Sequence, residues 1–464
     1  MHLDNSTICA IATPPGNGAI ALLRVSGDKA FNICDKLVIF KRKSKKINYQ
    51  STQTIFYCNI LDKDIIIDDV LISIFKKPHS YTGEDVVEIS CHGSIYIQQK
   101  ILELLIKNGA RFAQPGEFTF RAFMNGKLDL SQAEAVADLI ASQNQASHHV
   151  AMNQMRGGFS HMLEGLRKQL LEFTSLIELE LDFSEEDVEF ADREKMLDLI
   201  YEIISTCEKL AQSFKLGNAI KNGIPVAIVG KPNTGKSTLL NTLLNEDKAI
   251  VSEIPGTTRD SIEDTINIKG IRVRFIDTAG IRDTDDIIEN LGIEKTFEKI
   301  KNAVVILLVI DDTGNINDIH EQLKKIHIST EQSLAIVLNK IDRIGVKELK
   351  DKLMLMSDLP FETIAIAAKF KRNIESIEQL ILNAVNYGSI SEDDVIITNV
   401  RHFEALEKTI FSGNNVIGDL NNNISPDLIS EDIREMLHHI GEITGEVTTD
   451  EILGNIFKNF CIGK

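Results

Sequence analysis

Apolar and polar positions follow two periods along this chain, and the period in force changes from region to region. Up to about residue 125 the signal is short apolar runs of strand type, "GAIALLRVSG", "DDVLISIFKK" and "DVVEISCHG", the last entered through the turn-rich "PHSYTGED". One segment there, "SIYIQQKILELLIKNGA", carries apolar residues three and four apart and closes on Gly109, which predicts a helix. From about residue 128 the helical period takes over in "LSQAEAVADLIASQNQASHHVAMNQM" and "MLEGLRKQLLEFTSLIELELDF", followed by the acidic "DFSEEDVEFADRE", read as a solvated face or a helix start. Near residue 222 the pattern becomes strand, helix, strand, as in a parallel-sheet α/β domain, and this continues to about 385. Helical patterns resume in "DIREMLHHIGEIT" and "DEILGNIFKNF". The predicted architecture is therefore a multidomain α/β and α protein: an N-terminal α+β domain (1–125), a helical domain in two pieces (126–218 and 386–464), and a P-loop domain inserted between them (219–385).

Composition narrows the function classes. With 464 residues, 43% hydrophobic and 25% charged, the chain reads as a globular protein of two or three domains. The six cysteines (Cys9, Cys34, Cys58, Cys91, Cys207, Cys461) form no CxxC pair, so a disulfide framework or zinc site is not expected and a reducing cytoplasm fits. "MHLDNSTICAIATPPG" lacks a signal-peptide pattern and no run approaches about 20 apolar residues, so neither export nor membrane insertion is expected. A formal net charge of -18 argues against a protein that binds nucleic acid by general phosphate neutralisation.

The inserted domain supplies the chemistry. "IPVAIVGKPNTGKSTLLNTLL" places Gly230 to Ser237 in the form GxxxxGKS between an apolar strand and a helix, with Asn233, Thr234 and Gly235 inside the loop and Thr238 just after it. Backbone N–H groups and the positive helix end can cradle phosphates there, Lys236 can reach the β and γ phosphates, and Ser237 is placed for Mg²⁺. "PGTTRD" offers Thr258 as a second hydroxyl for the metal, and "VRFIDTAG" sets Asp277 and Gly280 at a strand end near Mg²⁺ and the γ-phosphate. In "AIVLNKID", Asn339, Lys340 and Asp342 follow a buried strand, and a carboxylate there can accept from N1–H and the 2-amino group of guanine, which adenine lacks. The nucleotide is accordingly expected to be GTP. After Gly280 comes Ile281, where Ras-like enzymes carry a water-orienting glutamine.

The chain ends in "GNIFKNFCIGK". A cysteine four residues from the end has the outline of a prenylation box, but Gly463 and Lys464 stand where an aliphatic residue and a permitted last residue are required. Prenylation is therefore not expected, and whether the Cys461 thiol is a metal ligand, a nucleophile or without a special role stays open on these residues alone.

Together these segments resemble one family, the tRNA-modification GTPases called MnmE or TrmE. "GKPNTGKS", "IPGTTRD", "DTAGIR", "NKID", "ATPPGNGAIALLRVSG", "SYTGEDVVEISCHG", "PGEFTFRAFMNGKLDLSQAEAVADLI" and "EITGEVTTDEILGNIFKNFCIGK" align in order over essentially the whole chain. The resemblance implies a Ras-like GTPase fold for the insert and a tetrahydrofolate-binding N-terminal domain. It implies a K⁺-dependent mechanism, with Asn233 as side-chain ligand and Ser252, Ile254 and Thr257 contributing from the following loop, and with Glu289 positioning the nucleophilic water. Ser252, Thr257 and Thr258 also line the GTP site by this resemblance. The last guanine-binding loop of the family usually opens on Ser-Ala; here it is Ala367, Ala368 and Lys369.

By the same resemblance, Arg24, Glu88, Lys127 and Lys464 contact a 5-formyl- or 5,10-methylene-tetrahydrofolate, with Cys461 near the one-carbon unit, either as a nucleophile or as a small buried anchor for the tail. The implied reaction adds an aminomethyl or carboxymethylaminomethyl group to C5 of the wobble uridine of certain tRNAs. The implied assembly is a homodimer whose GTPase domains meet face to face, joined in a heterotetramer or larger by a flavin-dependent partner of the MnmG (GidA) family. That partner alone carries FAD and supplies most of the tRNA affinity. The competing expectations are a regulatory or ribosome-assembly GTPase with no chemistry of its own, and a nucleotide-controlled dimerising scaffold.

Overall fold

The structure is a computed structural model that describes residues 5–41, 46–182, 192–246, 264–276, 301, 303–312, 316–326, 328–329, 332–385, 395–422, 424–458 and 460–463. The chain divides into two compact units, one of Met1–Ala141, Ala151–Ile204 and Lys408–Lys464, the other of Ser142–Val150 and Ser205–Glu407.

The first unit is built on a seven-stranded sheet of β1 (Ile8–Ile11), β2 (Ile20–Ser26), β3 (Val38–Phe40), β4 (Thr54–Asp62), β5 (Ile65–Phe75), β6 (Val86–His92) and β7 (Arg111–Phe112), in the order β3-β4-β5-β6-β2-β1-β7. Neighbours are antiparallel except β1 and β7. Period-two alternation decides which side chains face the core. Ala21, Leu23 and Val25 of β2 and Val87, Ile89 and Cys91 of β6 are buried, packing with Ile101, Leu104 and Leu105 of the Ile95–Lys107 helix. The intervening residues point to the opposite face, and the register that opposes Arg24 to Glu88 brings two charges together there.

The same unit contains the helices Glu117–Met124, Leu130–Ala141, Gly158–Asp182, Pro426–Thr444 and Asp450–Lys458. The helical run expected from residue 128 onward is interrupted at Ser142–Asn144. The reason is local: Asn144 Oδ1 accepts from Ser147 N–H (2.8 Å) and Ser147 Oγ accepts from Asn144 N–H (3.4 Å), a reciprocal cap that opens the Gln145–Met155 helix. The last helix, Asp450–Lys458, buries Leu453 and Phe457 with Phe460 against Phe120, Leu130 and Ala133.

The second unit has the expected doubly covered sheet: β8 (Ile224–Val229), β9 (Asp264–Ile268), β10 (Ile271–Phe275), β11 (Val305–Ile310), β12 (Ser333–Leu338) and β13 (Glu362–Ala365), ordered β13-β12-β11-β8-β10-β9. All pairs are parallel except β9 and β10. All six residues of β11, "VILLVI", are buried, as a central parallel strand covered on both faces requires. The antiparallel edge is made by Lys269 and Gly270, whose positive φ values (48° and 84°) form a two-residue turn, with Gly270 N–H donating to Asn267 Oδ1 at 2.8 Å.

Candidate functional site

The carboxyl end of β8 runs into the loop that precedes the Lys236–Glu246 helix. Gly230 sits at φ +147°, and a Cβ there would lie 2.2 Å from the Val309 carbonyl; Gly235 sits at φ +95°, where a Cβ would lie 2.3 Å from Asn339 Nδ2. Both must be glycine for the loop to close this tightly. Asn233 takes a left-handed turn (φ 63°), which asparagine tolerates better than most residues. Thr234 Oγ1 donates to the Lys231 carbonyl (2.9 Å), and Lys236 Nζ curls over the loop onto the carbonyls of Gly230 (2.9 Å) and Lys231 (2.7 Å). Ser237 and Thr238 are exposed on the first helical turn.

The β12 end is tied to this loop by hydrogen bonds. Asn339, only 3% exposed, donates from Nδ2 to the Thr234 carbonyl (3.0 Å) and accepts at Oδ1 from Ala368 N–H (3.1 Å). Lys340, in a left-handed conformation, donates from Nζ to the Asn233 carbonyl (2.6 Å) and to Asp311 Oδ2 (3.0 Å). Asp342 and Lys369 are exposed beside these anchors, and Ala367 and Ala368 are buried. Phosphate loop and base loops are thus one hydrogen-bonded constellation, and Asn339 is its structural pin.

A second constellation lies on the other face of the N-terminal sheet, where Phe118 and Tyr81 pack against Ile8 and Ala10 of β1. Arg24 donates from Nε (2.9 Å) and Nη2 (2.8 Å) to Glu88 Oε1, and its guanidinium lies 5.2 Å from the Tyr81 ring centroid and 5.7 Å from that of Phe118. Tyr81 Oη pairs with Thr119 Oγ1 at 2.8 Å; burial pushes the phenol up, against opposing pulls from Thr119 and Arg24. Arg24 Nη1 also reaches the Gly463 carbonyl (3.5 Å), so the C-terminal tail touches this pair within the same chain. Glycine is required at both tail contacts: a Cβ on Gly463 would lie 2.6 Å from the Ile11 carbonyl, and one on Gly116 would lie 2.6 Å from the Phe457 carbonyl. Lys127 Nζ donates to the Pro78 carbonyl (3.2 Å) at the base of the loop that carries Tyr81.

On the same helix as Phe118, Arg121 is 1% exposed and bonds to Glu84 (3.0 and 3.1 Å), Glu117 (3.0 Å) and the Ser6 carbonyl (2.8 Å). Burial alone would push Glu117 up, but hydrogen bonds from Arg111, Gln114 N–H and Arg121 hold it below the usual carboxylate range. This network fixes the Glu117–Met124 helix, which carries Phe118 and Thr119, against the loop bearing Tyr81.

Comparison with known proteins places both constellations in one lineage. A family model described as the MnmE helical domain matches residues 130–461, and one described as the GTP-binding protein TrmE N-terminus matches residues 7–127. The chain belongs to the MnmE family. Among curated relatives called tRNA modification GTPase MnmE, those of Bacteroides thetaiotaomicron and Parabacteroides distasonis are 52% and 53% identical over 466 and 462 residues, covering 100% and 99% of this chain and 100% of each relative. The Christiangramia forsetii relative is 53% identical, covering 99% of each chain.

As a member of the MnmE family the chain is a GTPase, and the residues expected to serve that role divide by location. Asn233, Thr234, Gly235, Lys236, Asn339, Lys340, Ala367 and Ala368 fall in the nucleotide constellation, with Ser237, Thr238, Asp342 and Lys369 exposed at its rim. Arg24 and Glu88 form the pair at the tail, and Lys127 lies at the neighbouring loop. Ser252, Ile254, Thr257, Thr258, Asp277, Gly280, Glu289 and Lys464 lie outside the described residues. Cys461 is exposed, so the buried-anchor alternative does not hold; Phe457 and Phe460 provide the anchoring apolar surface instead. Tyr81, Phe118, Arg121 and Gly463 were not among the residues expected around the Arg24–Glu88 pair. Of these, only Tyr81 carried a hint, an aromatic residue inside an otherwise polar turn.

Proposed function

We propose that this chain is a K⁺-dependent GTPase which, with a flavin-dependent partner, adds an aminomethyl or carboxymethylaminomethyl group to C5 of the wobble uridine of tRNA, drawing the carbon from a tetrahydrofolate. The observation that carries this reading is the tail: its Gly463 carbonyl sits on Arg24, Arg24 is paired with Glu88, and the pair is flanked by two aromatic rings. A half-buried carboxylate suits the donor edge of a pterin, aromatic faces suit its ring, and cations suit the tail carboxylates of a folate. Tetrahydrofolate binding separates this reading from a regulatory GTPase with no chemistry of its own, which has no need of a folate site. Cys461 stands exposed two residues before Gly463, available as the nucleophile.

At the nucleotide, Lys236 and the loop amides would bind phosphate and Asp342 would read the guanine edge. Ser237 with Thr258 would hold Mg²⁺, and Asn233 with Ser252, Ile254 and Thr257 would hold K⁺; the exposed positions of Ser237 and Asn233 at the loop fit these roles. Cations bound there would offset the charge that spreads over the phosphates during hydrolysis, as an arginine finger does elsewhere. Glu289 would orient the attacking water.

The direct test is reconstitution with the flavin partner, tRNA, GTP, K⁺ and methylene-tetrahydrofolate, read by mass analysis of nucleosides. A C5-modified wobble uridine is the expected product, and unmodified uridine in the complete mixture rejects the reading. Steady-state GTP turnover checks the cation separately: it should fall at least tenfold when Na⁺ replaces K⁺, and equal rates would remove K⁺ from the mechanism.

A further inference from the structure

The base-side loop of the nucleotide site, Ala367 to Lys369, has no hydroxyl of its own, yet its central peptide is clamped on both sides. Ala368 donates its N–H to Asn339 Oδ1 (3.1 Å) and accepts at its carbonyl from Thr242 Oγ1 (3.0 Å). The ends of the loop are closed by the pair of bonds between Ala367 and Arg372, both 3.2 Å. Thr242 is 8% exposed and lies on the helix that starts at Lys236, so the element beginning at the phosphate loop is bolted to the base loop. A threonine hydroxyl inside a helix commonly bonds back to a carbonyl of the preceding turn. Here it is spent on a residue 126 positions away.

We infer that Thr242 is a positioning residue for guanine recognition: its hydroxyl sets the Ala367–Lys369 backbone at the height where its amides meet the base. The inference rests on the reading of Asn339, Lys340 and Asp342 as the guanine loop. Both bonded groups are buried, so a methyl in place of the hydroxyl leaves the Ala368 carbonyl without its donor, and the loop relaxes away from the base. Serine at 242 keeps the bond. A hydroxyl returned to the loop by Ala367→Ser supplies a local substitute.

The test uses the full-length chain and a fluorescent GDP analogue, with ADP as competitor. Thr242→Val is expected to weaken GDP binding about fivefold to tenfold while leaving the weak ADP affinity unchanged, so that the preference for guanine narrows. Thr242→Ser is expected to bind as the parent does. Ala367→Ser added to Thr242→Val should recover part of the loss. Parental GDP affinity in Thr242→Val, an equal loss for GDP and ADP, a serine variant as weak as the valine one, or no recovery in the double variant each overturns the inference. Asp342→Asn separates the two levels. If it leaves the guanine preference intact, the guanine-loop reading itself falls; if it abolishes the preference while Thr242→Val does nothing, only the role of Thr242 falls.

Discussion

Cys461 differs from the five other cysteines in its surroundings rather than its chemistry. Burial pushes Cys9 and Cys207 up to about 12 and Cys58 and Cys91 up to about 11, and burial, reinforced by the charges of Asp35 and Cys9, raises Cys34 further still. Thiols held that high carry almost no thiolate near neutrality, and their sulfurs are also shielded from reagent. Cys461 alone is exposed. A brief treatment of the native protein with iodoacetamide at pH 8 should therefore label one site per chain, and peptide mapping should place it at residue 461. Substantial labelling at Cys9 or Cys207 would show that the N-terminal or helical core opens on that timescale. Residue identity made some roles legible in advance and not others. Gly230, Gly235 and Lys236 announce a phosphate loop because only glycines admit that backbone. Arg121, by contrast, sits in an apolar-faced helix where the sequence links it only to Glu117 one turn earlier; its bonds to Glu84 and to the Ser6 carbonyl come from segments that no local pattern connects to it.

Among the elements, strands that alternate cleanly or run continuously apolar beside a turn signal were visible, and the irregularly patterned β4 was not. β2 and β6 stood out, whereas β4 was missed because Ile55 and Tyr57, on its open face, are apolar and exposed, so its sequence does not alternate. The tail is an element whose seat depends on glycine. At φ +98° and against the Ile11 carbonyl, Gly463→Ala should dislodge the last residues without unfolding the helix before them, since Phe457 and Phe460 remain in their cluster. Carboxypeptidase should then trim the variant several-fold faster than the parent; equal trimming would mean that Gly463 does not lock the tail. In the Pro426–Thr444 helix, Asp432 is raised above the usual carboxylate range by burial and then by the charge and hydrogen bond of Asp419 and the charge of Glu435. A carboxyl whose folded pKa lies above its unfolded one favours folding most when protonated, and it penalises folding as pH rises through the folded value. Asp432→Asn should accordingly raise the thermal midpoint at pH 8 and bring no gain below about pH 4. A midpoint shift independent of pH would assign the effect to packing instead.

For the whole molecule, the balance of charge bears on how tRNA is held. Asp and Glu number 68 against 50 Lys and Arg, a net charge of -18, so the mean field around the chain repels a polyanion. Affinity for nucleic acid comes largely from release of counterions, and each phosphate neutralised adds roughly 0.7 to 0.9 to the slope of log K against log salt. If the proposed flavin-dependent partner supplies most of the contact, this chain alone should bind tRNA more weakly than about 1 μM at physiological salt, with a slope corresponding to one or two phosphates. The joint complex should bind more tightly and with a steeper slope. The comparison separates two designs that modification assays cannot distinguish, because both give the same product. Submicromolar binding by the isolated chain with a steep slope would mean that a local basic surface overrides the overall acidity, and the partner would then serve chemistry rather than capture.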